Sequence, residues 1–190
     1  EIADEGRYDQ YDIFIEKPMA LVPRWRRFTV PERVDVKGQV RLALDPAAVE
    51  ALVPAIREAG IESVAVALMH SYADPAHEEA IRDVLARHLP DVWVTLSSEV
   101  CPEIREYERT STAIANAYVQ PLMAGYLERL AKAFAEAGYR NEIHLMTSGG
   151  SLASLDTATR FPVRLVESGP AGGAILAAGI AEERGEERIL

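Results

Sequence analysis

A chain of 190 residues, 48% of them hydrophobic, is long enough to bury a core and to fill one large domain or two small ones. Its net charge of -10 excludes a protein that grips nucleic-acid backbones, because that task needs clustered Lys and Arg. A single cysteine, Cys101, excludes an internal disulfide and fits a reducing, cytoplasmic compartment; no apolar run approaches the roughly 20 residues that a membrane helix requires.

At the start, Glu1-Ile2-Ala3-Asp4-Glu5 has neither the basic nor the apolar region of a signal peptide, and no initiator Met precedes it. At the end, Arg188-Ile189-Leu190 reads as the first residues of a strand, so the expectation is an internal piece of a longer protein. From Glu1 to Pro31 aromatics, charges and prolines (Tyr8, Tyr11, Phe14, Pro18, Trp25) follow no period, which reads as an irregular surface segment. Val34, Val36, Val40, Leu42 and Leu44 alternate about Lys37-Gly38, a hairpin pattern.

Asp45-Pro46 then opens a helix, with the stripe Val49, Leu52, Val53, Ile56 ending at Gly60 and Pro54 as a candidate kink. Ile61 to Met69 is almost wholly apolar, as in a strand of a parallel sheet buried on both faces. Asp74-Pro75 begins the next helix, striped by Ile81, Val84, Leu85 and His88, and Val92 to Leu96 is the next strand. Strand, capped helix, strand is a βαβ unit, which makes the fold class α/β. A third helix is expected from Pro102 to Gln120, a fourth from Pro121 to Gly138, strands at Ile143 to Met146 and Val163 to Val166, and a Gly/Ala-rich helix from Ser168 to Arg184.

Three stretches could carry chemistry. On the third helix Arg105, Arg109, Thr112 and Asn116 fall on one side at 100° per residue, a polar row able to take an oxyanion or both edges of an imide. The competing reading is a solvated face laced with Glu103, Glu106 and Glu108. Glu167-Ser168-Gly169-Pro170-Ala171-Gly172-Gly173 follows an apolar run, so Ser168, Gly169, Gly172 and Gly173 could present a helix N-terminus to a phosphate. It matches neither the dinucleotide nor the P-loop pattern, and the same glycines would also let another helix approach closely. Thr147-Ser148-Gly149-Gly150-Ser151 ends a strand, where α/β sheets bind ligands, but such loops are commonly plain turns. The histidines have no metal-ligand spacing, so no metal site is assigned, and Cys101 has no matched His nearby in sequence.

Taken together, Glu99-Val100-Cys101-Pro102-Glu103-Ile104-Arg105-Glu106-Tyr107-Glu108-Arg109-Thr110-Ser111-Thr112, Asn116-Ala117-Tyr118 and Ser168-Gly169-Pro170-Ala171-Gly172-Gly173 resemble the hydantoinase A family. Tyr11-Asp12-Ile13-Phe14, Lys17-Pro18, Leu21-Val22-Pro23-Arg24 and Val30-Pro31-Glu32-Arg33-Val34 extend that resemblance to nearly the whole chain. The family includes ATP-dependent N-methylhydantoinases, 5-oxoprolinases and acetone and acetophenone carboxylase subunits.

The resemblance implies part of an actin-like ATPase fold, akin to sugar kinases and heat-shock chaperones. Residues 1–98 would end the N-terminal region and 99–190 begin the catalytic region. It also implies ATP and Mg²⁺ in the intact parent, held by two Asp-Gly-Gly-Thr-type turns that this sequence lacks, so the piece alone is expected to bind neither. The pair Thr147-Ser148 departs from the family's usual Ser-Asn. The implied activity is opening of a cyclic imide or amide (hydantoin, N-methylhydantoin or 5-oxoproline) through a phosphorylated intermediate. There Arg105, Arg109, Thr112 and Asn116 would face the substrate, and the turn with Ser168, Gly169, Gly172 and Gly173 would support the nucleotide side or the lobe hinge. The alternatives are a ketone carboxylase subunit and a non-catalytic scaffold that holds a partner through Tyr8 to Pro31. A hydantoinase B-like second subunit is the expected partner.

Overall fold

The structure, a computed structural model, describes residues 11–14 and 19–186; the readings of Glu1 to Glu5, Tyr8, Lys17-Pro18 and Arg188-Ile189-Leu190 lie outside them. Two compact units divide the chain, residues 1–118 and 119–190.

In the first unit, β1 (Arg33–Val34) and β2 (Val40–Leu42) form an antiparallel hairpin. Asp35 builds its turn: Oδ1 accepts the N–H groups of Lys37 and Gln39 at 2.9 and 3.0 Å, and Oδ2 accepts Arg41 Nε at 2.8 Å. Gly38 completes it at φ 76°, where a Cβ would come within 3.2 Å of the Ala73 carbonyl oxygen. The expected helix after Asp45 is two short ones, α1 (Pro46–Glu50), capped by Asp45, and α2 (Val53–Glu58). Pro54 sits in the first turn of α2, where its missing N–H costs nothing.

The βαβ unit is present: β3 (Ser63–Val66), α3 (Ala76–His88) and β4 (Trp93–Leu96), with the strands parallel in the register Ser63 to Trp93 through Val66 to Leu96. Its core is Val49, Val53, Ile56, Val66, Ile81, Val84, Leu85, Leu89 and Leu96. Among the described residues the sheet has these two strands, and β3 is partly buried except at Val66, which is fully buried, instead of enclosed on both faces. A single turn, α4 (Ser97–Val100), follows β4.

Next, α5 runs unbroken from Glu106 to Glu136 with Pro121 inside it, where a break had been expected. The buried positions Ala113, Ala117, Ala124 and Leu127 keep helical spacing on both sides of the proline. In the second unit Gln120 Nε2 donates to the carbonyls of Thr159 and Arg160 at 3.3 and 3.1 Å, anchoring the residue before Pro121.

That unit continues with an antiparallel hairpin, β5 (His144–Met146) and β6 (Leu152–Ser154), then α6 (Leu155–Arg160), capped by Ser154. The expected strand at 163–166 is instead a 3-10 turn, Pro162–Leu165. Proline at its first position fixes a helical φ there and starts a turn, whatever the apolar side chains favour. The final helix, α7 (Ser168–Arg184), has the expected bounds and ends at Gly185 in the left-handed region.

Candidate functional site

The polar row expected on one helix face is divided by the structure. Arg105 is not helical: at φ 78° it precedes α5, its side chain is 75% exposed, and its closest charge is Glu108 at 3.6 Å. Thr112 is half-buried and donates its hydroxyl to the Glu108 carbonyl one turn back at 2.8 Å. Arg109 and Asn116 are buried at 1% and 0% exposure, and Asn116 Nδ2 donates to Thr95 Oγ1 at 3.0 Å. Of the four, only Arg105 keeps its polar atoms largely in solvent.

Arg109 lies in a buried network where β3 and β4 end. Its Nη2 donates to the Leu68 carbonyl at 2.8 Å, Nη1 to the Glu103 carbonyl at 2.9 Å and Nε to Ser97 Oγ at 3.2 Å. Tyr72 stacks under the guanidinium at 5.4 Å, and Glu106 Oε1 lies 3.5 Å from Nη2. Glu78, wholly buried, takes the other side of the charge account: Oε1 accepts Leu68 N–H at 2.9 Å and the Ser97 hydroxyl at 2.7 Å, and Oε2 accepts the N–H and hydroxyl of Ser98 at 2.9 and 2.8 Å. Ligands of parallel sheets bind at the carboxyl ends of strands. Here that place is occupied by a salt-bridged plug in which no buried side-chain N or O lacks a partner, among the described residues.

Glu106 belongs to the rim of this plug. Burial raises its pKa, but the N–H groups of Glu106 and His70 and the charge of Arg109 outweigh that, and the carboxyl titrates below its ordinary value of 4.5. His70 adopts φ 57°, and its Nδ1 lies 2.9 Å from the Val34 carbonyl; a carbonyl can only accept, so Nδ1 carries the proton. Sequence reading missed Glu78, although an acid in register with the buried Ile81 and Leu85 was the available signal.

Ser168, Gly169, Gly172 and Gly173 open α7 in the second unit. Gly172 lies against β5, where an added Cβ would meet Met146 Cγ at 3.6 Å; at Gly169 and Gly173 it would meet nothing within 4 Å. The residue before the helix is Glu167, at φ 62° and without a capping bond, and Pro170 has no N–H to offer. A carboxylate at that end opposes a phosphate. No group of three or more His, Cys, Asp or Glu among the described residues could hold a metal. With Glu167 in front of the helix and no N–H at Pro170, the start of α7 offers a phosphate little by itself. Among the described residues no helix is long and apolar enough to cross a membrane.

An α/β chain with these two regions has clear relatives. Residues 1–89 match the hydantoinase/oxoprolinase N-terminal region, and residues 109–190 match the hydantoinase/oxoprolinase domain that follows it. The chain belongs to the hydantoinase/oxoprolinase family. Caprolactamase subunit alpha of Pseudomonas jessenii is 33% identical over 181 residues, 95% of this chain and 26% of that protein. The crystal structure of ATP-dependent caprolactamase from that organism shares the fold at a TM-score of 0.84 and 33% identity, over 96% of this chain and 26% of that one. A nucleotide-free structure of acetone carboxylase gives a TM-score of 0.80 at 27% identity, over 90% of this chain and 24% of that one. An uncharacterized protein of Methanocaldococcus jannaschii is 34% identical over all of this chain and 28% of its own length. The chain thus spans about a quarter of the length of the relatives it matches.

Proposed function

We propose that this chain is part of an ATP-dependent enzyme that opens the C–N bond of a cyclic amide or imide, of the caprolactam, hydantoin or 5-oxoproline kind. What carries the reading is 33% identity to a caprolactamase alpha subunit sustained over 95% of the chain, with the same fold. In the whole protein ATP with Mg²⁺ would supply a phosphoryl group to the amide oxygen, which makes the carbonyl carbon open to attack by water so that the C–N bond can break with nitrogen as the leaving group.

In this reading residues 1–98 close the N-terminal region and residues 99–190 begin the catalytic one. Arg105, just before α5, offers an exposed guanidinium to a substrate, with Thr112 further along on α5; Arg109 and Asn116 hold that helix in place. The turn with Ser168, Gly169, Gly172 and Gly173 supports the nucleotide side or the lobe hinge without gripping a phosphate, since Glu167 precedes it. A cytoplasmic location and a hydantoinase B-like second subunit belong to the same reading, and the relative's designation as a subunit supports the latter.

The test is ADP release by the full-length protein with its partner subunit, offered caprolactam, 5-oxoproline, N-methylhydantoin, or acetone with bicarbonate. Turnover of a lactam or hydantoin supports the proposal. Turnover of acetone alone moves the assignment to the ketone carboxylases, which the acetone carboxylase fold match favours as the second reading. No ADP release with any of the four contradicts both.

A further inference from the structure

The Ser/Thr/Gly loop takes no part in that reading, yet the second unit builds a concavity of about 380 Å³ around it. The loop joins β5 to β6, so it is a hairpin connection and not a strand-to-helix turn. Thr147, Ser148, Gly149, Ser151, Thr157 and Arg164 line the space. No Asp, Glu or His lines it, although the chain as a whole carries a charge of -10.

Counting protons shows what the cavity has to offer. Thr147 Oγ1 accepts the Ser151 N–H at 3.2 Å, and the two hydroxyls share one proton across 2.9 Å, so one of their two protons remains. Ser154 Oγ accepts the Thr157 N–H and donates to Thr157 Oγ1 at 3.1 Å, which leaves the Thr157 hydroxyl proton unused. Among the described residues the N–H of Gly149 has no partner, whereas Gly150 and Ser151 spend theirs on Thr147 and Ser148 spends its own on the Arg164 carbonyl. Arg164 stacks on the Phe161 ring at 4.8 Å and forms no ion pair among the described residues. Like Ser154, Ser148 has spent its proton, its hydroxyl donating to the Arg164 carbonyl at 3.1 Å.

The surplus therefore includes three donors, two hydroxyls and one amide, and the cationic Arg164 is among the lining residues. A site of that composition recognises an acceptor that carries negative charge, since charge-assisted hydrogen bonds are the stronger kind. We propose that this cavity binds an oxyanion, the phosphate or carboxylate group of a small ligand. The site lies within one unit and stands whether or not the parent opens cyclic amides.

The experiment is a titration of the full chain, followed by amide chemical shifts, with inorganic phosphate and separately with acetate at ionic strength fixed by sodium chloride. Saturating shifts at Gly149 and Thr157 are expected, weakened at least tenfold in Arg164→Gln and in Thr157→Val. Saturation by phosphate alone assigns a phosphoryl ligand, by acetate alone a carboxylate, and by both the shared oxyanion. Ser151→Ala replaces Thr157→Val should that variant lose its dispersed spectrum. Shifts that fail to saturate with either anion, or affinity unchanged in the variants, overturn the proposal.

Discussion

Glu78 and Arg109 hold the same hydroxyl: Ser97 Oγ donates to Glu78 Oε1 at 2.7 Å and accepts from Arg109 Nε at 3.2 Å. Both side chains are essentially without solvent and share the main-chain groups of Leu68, while the ion pair of Arg109 itself is with Glu106. Removing the buried guanidinium from such a network leaves its acids and Ser97 without their cation, at a cost of about 3–5 kcal/mol. Arg109→Met should therefore lower stability by roughly that amount. Arg109→Lys should recover only part of it, because one ammonium cannot span the Leu68 and Glu103 carbonyls and Ser97 together. Urea unfolding measures both, and a midpoint unchanged in Arg109→Met would contradict the network's role.

Arg105 behaves oppositely. A non-glycine residue at φ 78° carries backbone strain, and its exposed ion pair with Glu108 is worth little. Arg105→Gly should raise stability by about 0.5–1 kcal/mol, the strain relieved less the entropy of glycine. Arg105→Ala keeps the strain and should change stability by less than about 0.5 kcal/mol. If Arg105 meets substrate, Arg105→Ala in the full-length enzyme raises KM roughly tenfold with the fold intact, a change of about 1.4 kcal/mol. Unchanged kinetics would remove it from the site.

Acid should loosen the rim of the plug. The folded pKa of Glu106 lies below its ordinary 4.5, so its contribution is present above 4.5 and fades as pH falls through the lower folded value. Asp35 has the same sign, lowered by the Gln39 N–H first, then by Lys37 N–H and Arg41 against opposing burial. Thermal melts of the chain and of Glu106→Gln should differ at pH 7 and converge below 4.5. A gap that widens in acid would show the sign to be wrong.

The βαβ unit was readable because its signals are local: Asp45 and Asp74 each accept the N–H group two residues on, and an apolar run names a strand. The bounds of α7 were readable because Gly185 closes it in the only backbone region that glycine enters freely. The candidate site was far less readable. Periodicity places Arg109 and Arg105 on one face, but whether a guanidinium meets solvent or the Leu68 carbonyl depends on a partner 41 residues away. The cavity around Thr147 was hidden for the same reason, since Thr157 and Arg164 come to it from α6 and from the turn after it, which the sequence had disguised as a strand.

Pro121 is where local reasoning failed most clearly, and the failure makes its own prediction. A proline inside a helix removes one hydrogen bond and crowds the carbonyl four residues back, here that of Ala117, at a cost of roughly 3 kcal/mol. The helix nonetheless continues, because Ala113 and Ala117 before the proline and Ala124 and Leu127 after it are buried, and Gln120 is tied to the end of α6. Tertiary packing thus overrides a local breaker, and the cost should still be present in the folded state. Pro121→Ala should restore the bond to Ala117 and stabilise the chain by about 1–3 kcal/mol, less than the full intrinsic difference because proline also restricts the unfolded chain. The opposite variant, Gln120→Ala, leaves the Thr159 and Arg160 carbonyls without that donor and should cost about 1–2 kcal/mol. Urea unfolding of the two single variants and the double decides the matter. If packing and the Gln120 anchor are what carry the helix past the proline, the loss in Gln120→Ala shrinks when residue 121 is alanine; strict additivity would mean that the anchor and the proline are unrelated.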